Sequence, residues 1–220
     1  VSLNPIQRCG KQVEEMLITK EKISKKEAKK KVLEAFHNVE ISPEEQRYRQ
    51  YPFELSGGML QRIVIAMAMV CDSRLLLADE PTTALDVTTQ GQILNLMKEM
   101  QQKNHMSVIV VTHNFGVVAE ICDRVSVMYA GEIVESGDVR TIFNEPCHPY
   151  TVALMESRPD PSKRGEKMIT IPGVPPSLYS VGKGCPFAAR CKKALERCFV
   201  EKPAEIHMEN GHQVRCHLCQ

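Results

Sequence analysis

The sequence predicts an α/β fold: a mainly parallel central sheet, a helical region ahead of it and a small cysteine-rich extension behind it. Three observations carry this expectation. Between residues 75 and 122, short apolar runs alternate with helix-period segments, the strand–helix–strand–helix order that builds parallel sheets. The 220 residues are 43% apolar and 25% charged, the make-up of a chain that buries a core. Five of the nine cysteines fall in the last 36 residues, behind a proline-rich stretch.

Residues 1 to about 72 read as helical. Ser24-Lys25-Lys26-Glu27 fits a capping box, in which the serine oxygen and the glutamate carboxylate satisfy free backbone donors. Ala28, Val32, Leu33, Ala35 and Phe36 follow at helical spacing. The lysines from Lys20 to Lys31 read as a solvated helix face rather than a nucleic-acid or lipid patch, because Glu21, Glu27 and Glu34 interleave with them. Ser42-Pro43-Glu44-Glu45 is a second helix start, with Pro at the first helical position. Leu75–Ala78 and Val108–Val111 are buried-strand runs, and Gln90–Gln101 and Phe115–Cys122 are helical. Val125–Tyr129 and Glu132–Glu135 bracket Ala130-Gly131 as a hairpin. Beyond about residue 157, Pro159, Pro161, Pro172, Pro175 and Pro176 interrupt regular structure.

Composition narrows the function. With 28 basic and 27 acidic side chains the net charge is +1, which argues against a general nucleic-acid binder. Trp is absent and aromatics are 5%, so no stacking platform is expected. No signal peptide is visible, and no stretch approaches the roughly 20 apolar residues of a membrane helix. Outside oxidising compartments, clustered cysteines are metal or redox ligands more often than disulfides.

The strongest chemical signal is Leu75-Leu76-Leu77-Ala78-Asp79-Glu80-Pro81. It sets two carboxylates at the C-terminal edge of a strand, where open α/β sheets bind ligands. Asp79 suits Mg²⁺, and Glu80 suits polarising a water for attack on a phosphate. Upstream, Leu55-Ser56-Gly57-Gly58-Met59-Leu60-Gln61-Arg62 leads into an apolar helix. Ser56 can cap that helix, and the glycines let backbone donors approach an anion. Downstream come Thr83-Ala84-Leu85-Asp86 and, at the tip of the next strand, Thr112-His113. His113 is thereby placed to sense a γ-phosphate.

These four segments, in this order, resemble the signature, Walker B, D-loop and switch histidine of the ATP-binding subunits of ABC transporters. The resemblance implies a P-loop NTPase-type ABC ATPase domain, with a helical subdomain at about residues 8–72. It implies that Ser56, Gly57 and Gly58 contact the γ-phosphate of ATP held by an opposite subunit, that Asp79 serves Mg²⁺, that Glu80 and His113 are catalytic, and that Asp86 lies at the nucleotide and subunit interface. Met59 stands where the superfamily commonly has Gln, as in the peptide-importer branch. Val1–Pro5, Pro146-Cys147-His148-Pro149-Tyr150-Thr151, Ile171–Pro176 and Gly184–Cys191 are similar to stretches of the oligopeptide, dipeptide and nickel importers. The implied division is 1–157, part of the ATPase domain, and 158–220, the branch's C-terminal extension. The implied partners are a second ATPase subunit, two transmembrane permeases and an extracytoplasmic solute-binding protein, without nucleic acid. The implied location is the cytoplasmic face of the membrane, held peripherally.

Cys185, Cys191, Cys198 and Cys216 have the spacing C-x5-C-x6-C-x17-C. Four thiolates can hold Zn²⁺ or a [4Fe–4S] cluster, or stay as reduced structural thiols. The spacing lacks the paired C-x2-C knuckles common in zinc sites, and the resemblance favours the cluster. Cys219 is a spare fourth ligand; Cys216 is preferred because His212–Cys216 is similar to the family's closing stretch. Cys9, Cys71, Cys122 and Cys147 read as ordinary thiols.

No G-x-x-x-x-G-K-[ST] phosphate loop occurs in these residues, and the family's Q-loop glutamine is absent. With Val1 in place of Met, the expectation is a chain lacking the first part of its nucleotide-binding domain, weak toward ATP by itself. Two further readings stay open at this point: an iron–sulfur-binding regulatory remnant without ATPase activity, and, disfavoured, an ABC ATPase of repair or translation.

Overall fold

The computed structural model describes residues 3–70, 73–83, 85–157, 170–177 and 182–219. Val1, Ser2, Cys71, Ala84, Pro159 and Pro161, all named in the sequence reading, lie outside the described residues. The chain forms two compact units, Val1–Ile121 and Cys122–Gln220.

The first unit begins with α1 (Cys9–Glu21), α2 (Lys25–Asn38), α3 (Glu44–Arg49) and α4 (Gly57–Met69). In α2, Ser24 Oγ accepts the Glu27 N–H at 3.3 Å, one arm of the expected capping box. Pro43, expected at the first helical position, stands instead at the N-cap of α3, whose first helical residue is Glu44. The lysine-rich face is laced with acidic partners: Lys29 to Glu45 at 2.7 Å, Lys31 to Glu21 at 2.5 Å, Lys30 to Glu34 at 3.9 Å. Then come β1 (Leu75–Asp79), α5 (Val87–Asn104), β2 (Ser107–Val111) and α6 (Phe115–Ile121).

Helical spacing in the sequence becomes one core. Val13 and Leu17 of α1, Val32 and Phe36 of α2, Ile63 of α4 and Ile93 of α5 are fully buried together. The helices pack closely because Gly10 faces the Tyr48 ring; a Cβ there would lie 2.0 Å from Tyr48 Cδ2. Glu14, buried in this core, is satisfied by the Tyr48 hydroxyl and by Lys11 Nζ at 2.9 Å.

β1 and β2 are parallel neighbours, in register from Leu75↔Ser107 to Asp79↔Val111. The expectation of fully buried strands is corrected on one face. Leu76, Ala78, Val108 and Val110 pack on the helical core, whereas Leu75, Leu77, Ile109 and Val111 are exposed. Successive side chains of a strand point to opposite faces, so one helical layer covers only one of the two sets.

In the second unit, β3 (Arg124–Tyr129) and β4 (Glu132–Asp138) form the predicted hairpin. Its two-residue turn holds Ala130 at φ 48° and Gly131 at φ 84°, both left-handed, as the twist of flanking strands favours. α7 (Val139–Asn144) and α8 (Pro149–Glu156) follow, then α9 (Arg197–Val200), β5 (Ile206–His207) and β6 (Gln213–Val214). The tail strand β6 pairs with β4, giving an antiparallel sheet of order β3-β4-β6-β5. Among the described residues, parallel pairing is therefore confined to β1 and β2. The change of composition near residue 157 falls inside this second unit, because the tail completes the hairpin's sheet.

Candidate functional site

At the C-terminal edge of the parallel pair, the backbone changes direction abruptly. Glu80 N–H still donates to Val111 O at 2.8 Å, but Glu80 itself sits at φ 46°. A β-type ladder bond followed at once by left-handed backbone turns the Glu80 carboxylate across to the neighbouring strand end. There His113 Nδ1 lies 2.6 Å from Glu80 Oε1, and the His113 N–H donates to the same oxygen at 3.2 Å. Thr83 Oγ1 donates to Glu80 Oε2 at 3.0 Å. These bonds, His113's first, hold the Glu80 carboxyl below the usual carboxylate range. Left-handed backbone at a non-glycine residue is strain of the kind that collects at functional sites. Asp79, next to it, ends β1 with its side chain exposed.

Ser56 caps α4, its Oγ 3.4 Å from the Met59 N–H, with Gly57 and Gly58 in the first turn. The glycines permit close packing: a Cβ on Gly58 would come within 2.7 Å of Thr89 Cγ2. Asp86 caps α5. Its Oδ1 accepts the Thr89 N–H at 2.9 Å and its Oδ2 accepts the Thr89 hydroxyl at 2.6 Å, which lowers its pKa. Ser56, Gly57, Asp86 and His113 are solvent-exposed. Among the described residues no hydrogen bond joins the Ser56–Gly58 turn to Glu80 or His113.

In the second unit, Cys185, Cys191, Cys198 and Cys216 line one small cavity of about 20 Å³, together with His148, Phe187, Ala188 and Lys193. Backbone donors serve these sulfurs. The Leu195 N–H reaches Cys198 Sγ at 3.4 Å, and the backbones of Phe187 and Lys193 hydrogen-bond Cys185 and Cys191. Burial still pushes the Cys185 and Cys191 thiols up. A Cys185 N–H to Cys198 O bond of 2.8 Å draws two segments of the cavity wall together. Cys219 does not line the cavity; its Sγ lies 4.0 Å from the Cys147 carbonyl oxygen, and its pKa is pushed up to about 12, mainly by burial.

A buried carboxylate braces the cavity from outside. Glu135 of β4 is 1% exposed. Its Oε1 accepts the Cys147 N–H at 2.6 Å and lies 2.7 Å from His212 Nε2; its Oε2 accepts the His148 N–H at 3.0 Å. Glu135, Cys147 and His212 are the one group among the described residues whose three potential ligand atoms lie within 4.8 Å of one another. The carboxylate is already engaged by hydrogen bonds to its neighbours, so the group works as a clamp on the chain around residue 147.

Residues 4–83 match the family model described as ABC transporter, and residues 134–198 match that of the oligopeptide/dipeptide transporter C-terminal region. The oligopeptide transport ATP-binding protein OppD of Bacillus subtilis is 50% identical over 218 residues, which cover 99% of this chain and 61% of that protein. The dipeptide transport ATP-binding protein DppD of Bacillus subtilis is 48% identical over 217 residues, 99% of this chain and 65% of that one. The chain belongs to the ABC transporter ATP-binding family. It spans 61% to 65% of the length of these two relatives. A solved dimeric ATP-binding cassette, in a post-hydrolysis state bound to ADP and Pi, is similar with TM-score 0.56 and 32% identity over 63% of this chain and 60% of that one.

The ABC ATPase fold expected from the four motifs is thus the fold of this chain. The structure brings Glu80 and His113 into contact and sets Asp79 beside them; it sets the Ser56 turn and Asp86 at the starts of α4 and α5. It gathers the four predicted cysteines on one cavity and leaves Cys219 outside it. The residues that sequence reasoning left without a role are Glu135, His148 and His212. The available signals are the family-like stretches Pro146–Thr151 and His212–Cys216, and the spacing of neither carries chemistry.

Proposed function

We propose that this chain is part of the ATP-binding and hydrolysing subunit of an ABC importer for peptides or related small solutes. The pairing of Glu80 with His113 at a strand edge carries this reading. Glu80 is the general base that orients the attacking water, and His113 senses the γ-phosphate and holds the base in place. Asp79 is the Mg²⁺ residue. Ser56, Gly57 and Gly58 offer the α4 N-terminus to the γ-phosphate of ATP bound on an opposite subunit, with Asp86 at that interface. The peptide branch is supported by the match over residues 134–198 and by the printed functions of the relatives. Residues 1–157 belong to the ATPase domain on this reading, and 158–220 to the branch's extension.

The assembly so read has two ATP-binding subunits, two permeases and a solute-binding protein, with this chain peripheral at the cytoplasmic face. No helix among the described residues is long and apolar enough to cross a membrane. The test is Glu80→Gln in the intact protein reconstituted with its permeases. ATP remains bound, and hydrolysis falls by about 10²-fold or more, the scale of a lost general base. Unchanged hydrolysis defeats the assignment.

We also infer that Cys185, Cys191, Cys198 and Cys216 hold a [4Fe–4S] cluster. Backbone groups hydrogen-bond three of the sulfurs, contacts of the kind that orient and tune the sulfur ligands of a cluster. A single zinc at about 2.3 Å from each sulfur would draw the four within roughly 4 Å of one another, and no three of them lie within 4.8 Å. When bound, the cluster would supply a one-electron redox centre or a covalent staple for the tail. Anaerobically purified protein is expected to be brown and to carry about four irons per chain. Stoichiometric zinc without iron overturns the reading.

A further inference from the structure

His148 sits where two demands meet. It is 1% exposed and precedes α8, where its Nδ1 accepts the Tyr150 N–H at 3.1 Å. It also lines the cavity that holds Cys185, Cys191, Cys198 and Cys216. A ring nitrogen that accepts a hydrogen bond carries no proton, so the proton of the neutral imidazole is on Nε2. The ring is held firmly. Glu135 takes the backbone N–H groups of Cys147 and His148, and the Phe187 ring centroid lies 5.9 Å from that of His148. One nitrogen is committed to the helix cap, the other is the ring's donor, and the residue lines a cavity shared with four cysteines.

We propose that His148 is a positioning residue for the metal group held by the four cysteines, with its Nε2–H donating a hydrogen bond to that group's sulfur. The inference rests on the cluster reading above. A donor to sulfur stabilises the more negative, reduced state, so His148 raises the reduction potential relative to the same site without it. The cap and the donor use different nitrogens, and substitutions separate them. Asparagine supplies an oxygen near the position of Nδ1 and is a favoured N-cap, so His148→Asn keeps the helix start and withdraws the cavity donor. Glutamine reaches the position of Nε2 with an amide N–H.

The experiment uses the full chain, purified anaerobically, with iron and sulfide assayed and the midpoint potential measured by titration with dithionite as the one-electron reductant. His148→Asn is expected to keep the wild-type iron and sulfide content and to show a lower potential. His148→Gln is expected to fall between the two. Pulsed electron resonance on reduced wild-type protein with isotope-labelled histidine is expected to show a nitrogen coupling that His148→Gln lacks. A fully loaded His148→Asn at the wild-type potential overturns the proposal, and so does loss of iron from a folded His148→Asn, which would make His148 a ligand. Should His148→Asn fail to fold, absence of the nitrogen coupling in wild type overturns it. Wild-type protein that takes up no iron overturns the cluster reading itself, a result distinct from an unmoved potential.

Discussion

His113 Nδ1 lies 2.6 Å from Glu80 Oε1, although 33 residues separate them. Parallel pairing of β1 with β2, ending at Asp79↔Val111, brings the two strand tips side by side. His113's hydrogen bond is the first cause of the lowered Glu80 pKa. A lowered carboxyl pKa means that the ionised form is favoured in the folded chain. Its stabilising contribution is present above the unfolded value of about 4.3 and is lost as pH falls through the folded value. Replacing His113 by Ala is expected to move the Glu80 titration upward toward the ordinary range. Carboxyl NMR of Glu80 reads this directly, and an unmoved midpoint would assign the shift to Thr83.

Gly184 admits no side chain. A Cβ there would lie 2.3 Å from Cys198 O and 2.6 Å from Phe199 C, both backbone atoms with little freedom to yield. Gly184→Ala is expected to push the Cys185 and Cys198 segments apart and break their 2.8 Å backbone bond. Overpacking of this kind costs about 1–3 kcal/mol. If the proposed cluster is present, bound iron per chain should drop with it, whereas Cys219→Ala should leave the iron content unchanged.

Glu135 accepts two backbone N–H groups and faces His212 in a site closed to solvent. Glu135→Gln keeps the shape but turns an acceptor into an amide donor opposite other donors. A loss of about 1–3 kcal/mol is expected, the cost of leaving a buried donor unsatisfied. Urea unfolding monitored on the second unit measures it; a midpoint equal to wild type would mean that the clamp contributes nothing.

Tyr48 occupies the space over Gly10, its Cδ2 atom 2.0 Å from where a Cβ would be. The ring is buried and tied to Glu14 by its hydroxyl. Gly10→Ala is expected to destabilise the first unit by about 1–3 kcal/mol, through a displaced ring and a weakened Glu14 contact. Thermal unfolding of the variant should show the lower transition, and Ser24→Ala, which removes only the α2 cap, should cost about 1 kcal/mol.

Much of the first unit was legible in the sequence because its rules are local. Ser24 and Ser56 announce helix starts within three residues of the groups they bind. Alternating runs and helical periods place the strands and the hairpin. The two faces of β1 and β2 were not legible, since an apolar run has the same appearance whether one or both faces are covered. Cys216 and Cys219 were separable only by likeness, because both lie within reach of the tail's end.

The sequence by itself determined the order of elements, the carboxylate pair after β1, the glycine turn before α4 and the cysteine spacing. Only the tertiary structure decided which of these meet. It turned Glu80 onto His113, set His148 among four cysteines, and made Glu135 the anchor of a stretch 12 residues away. The reason is physical. Caps, turns and periodicity act over a few bonds, whereas contacts between distant residues depend on how whole strands pair and pack, and no short spacing encodes that.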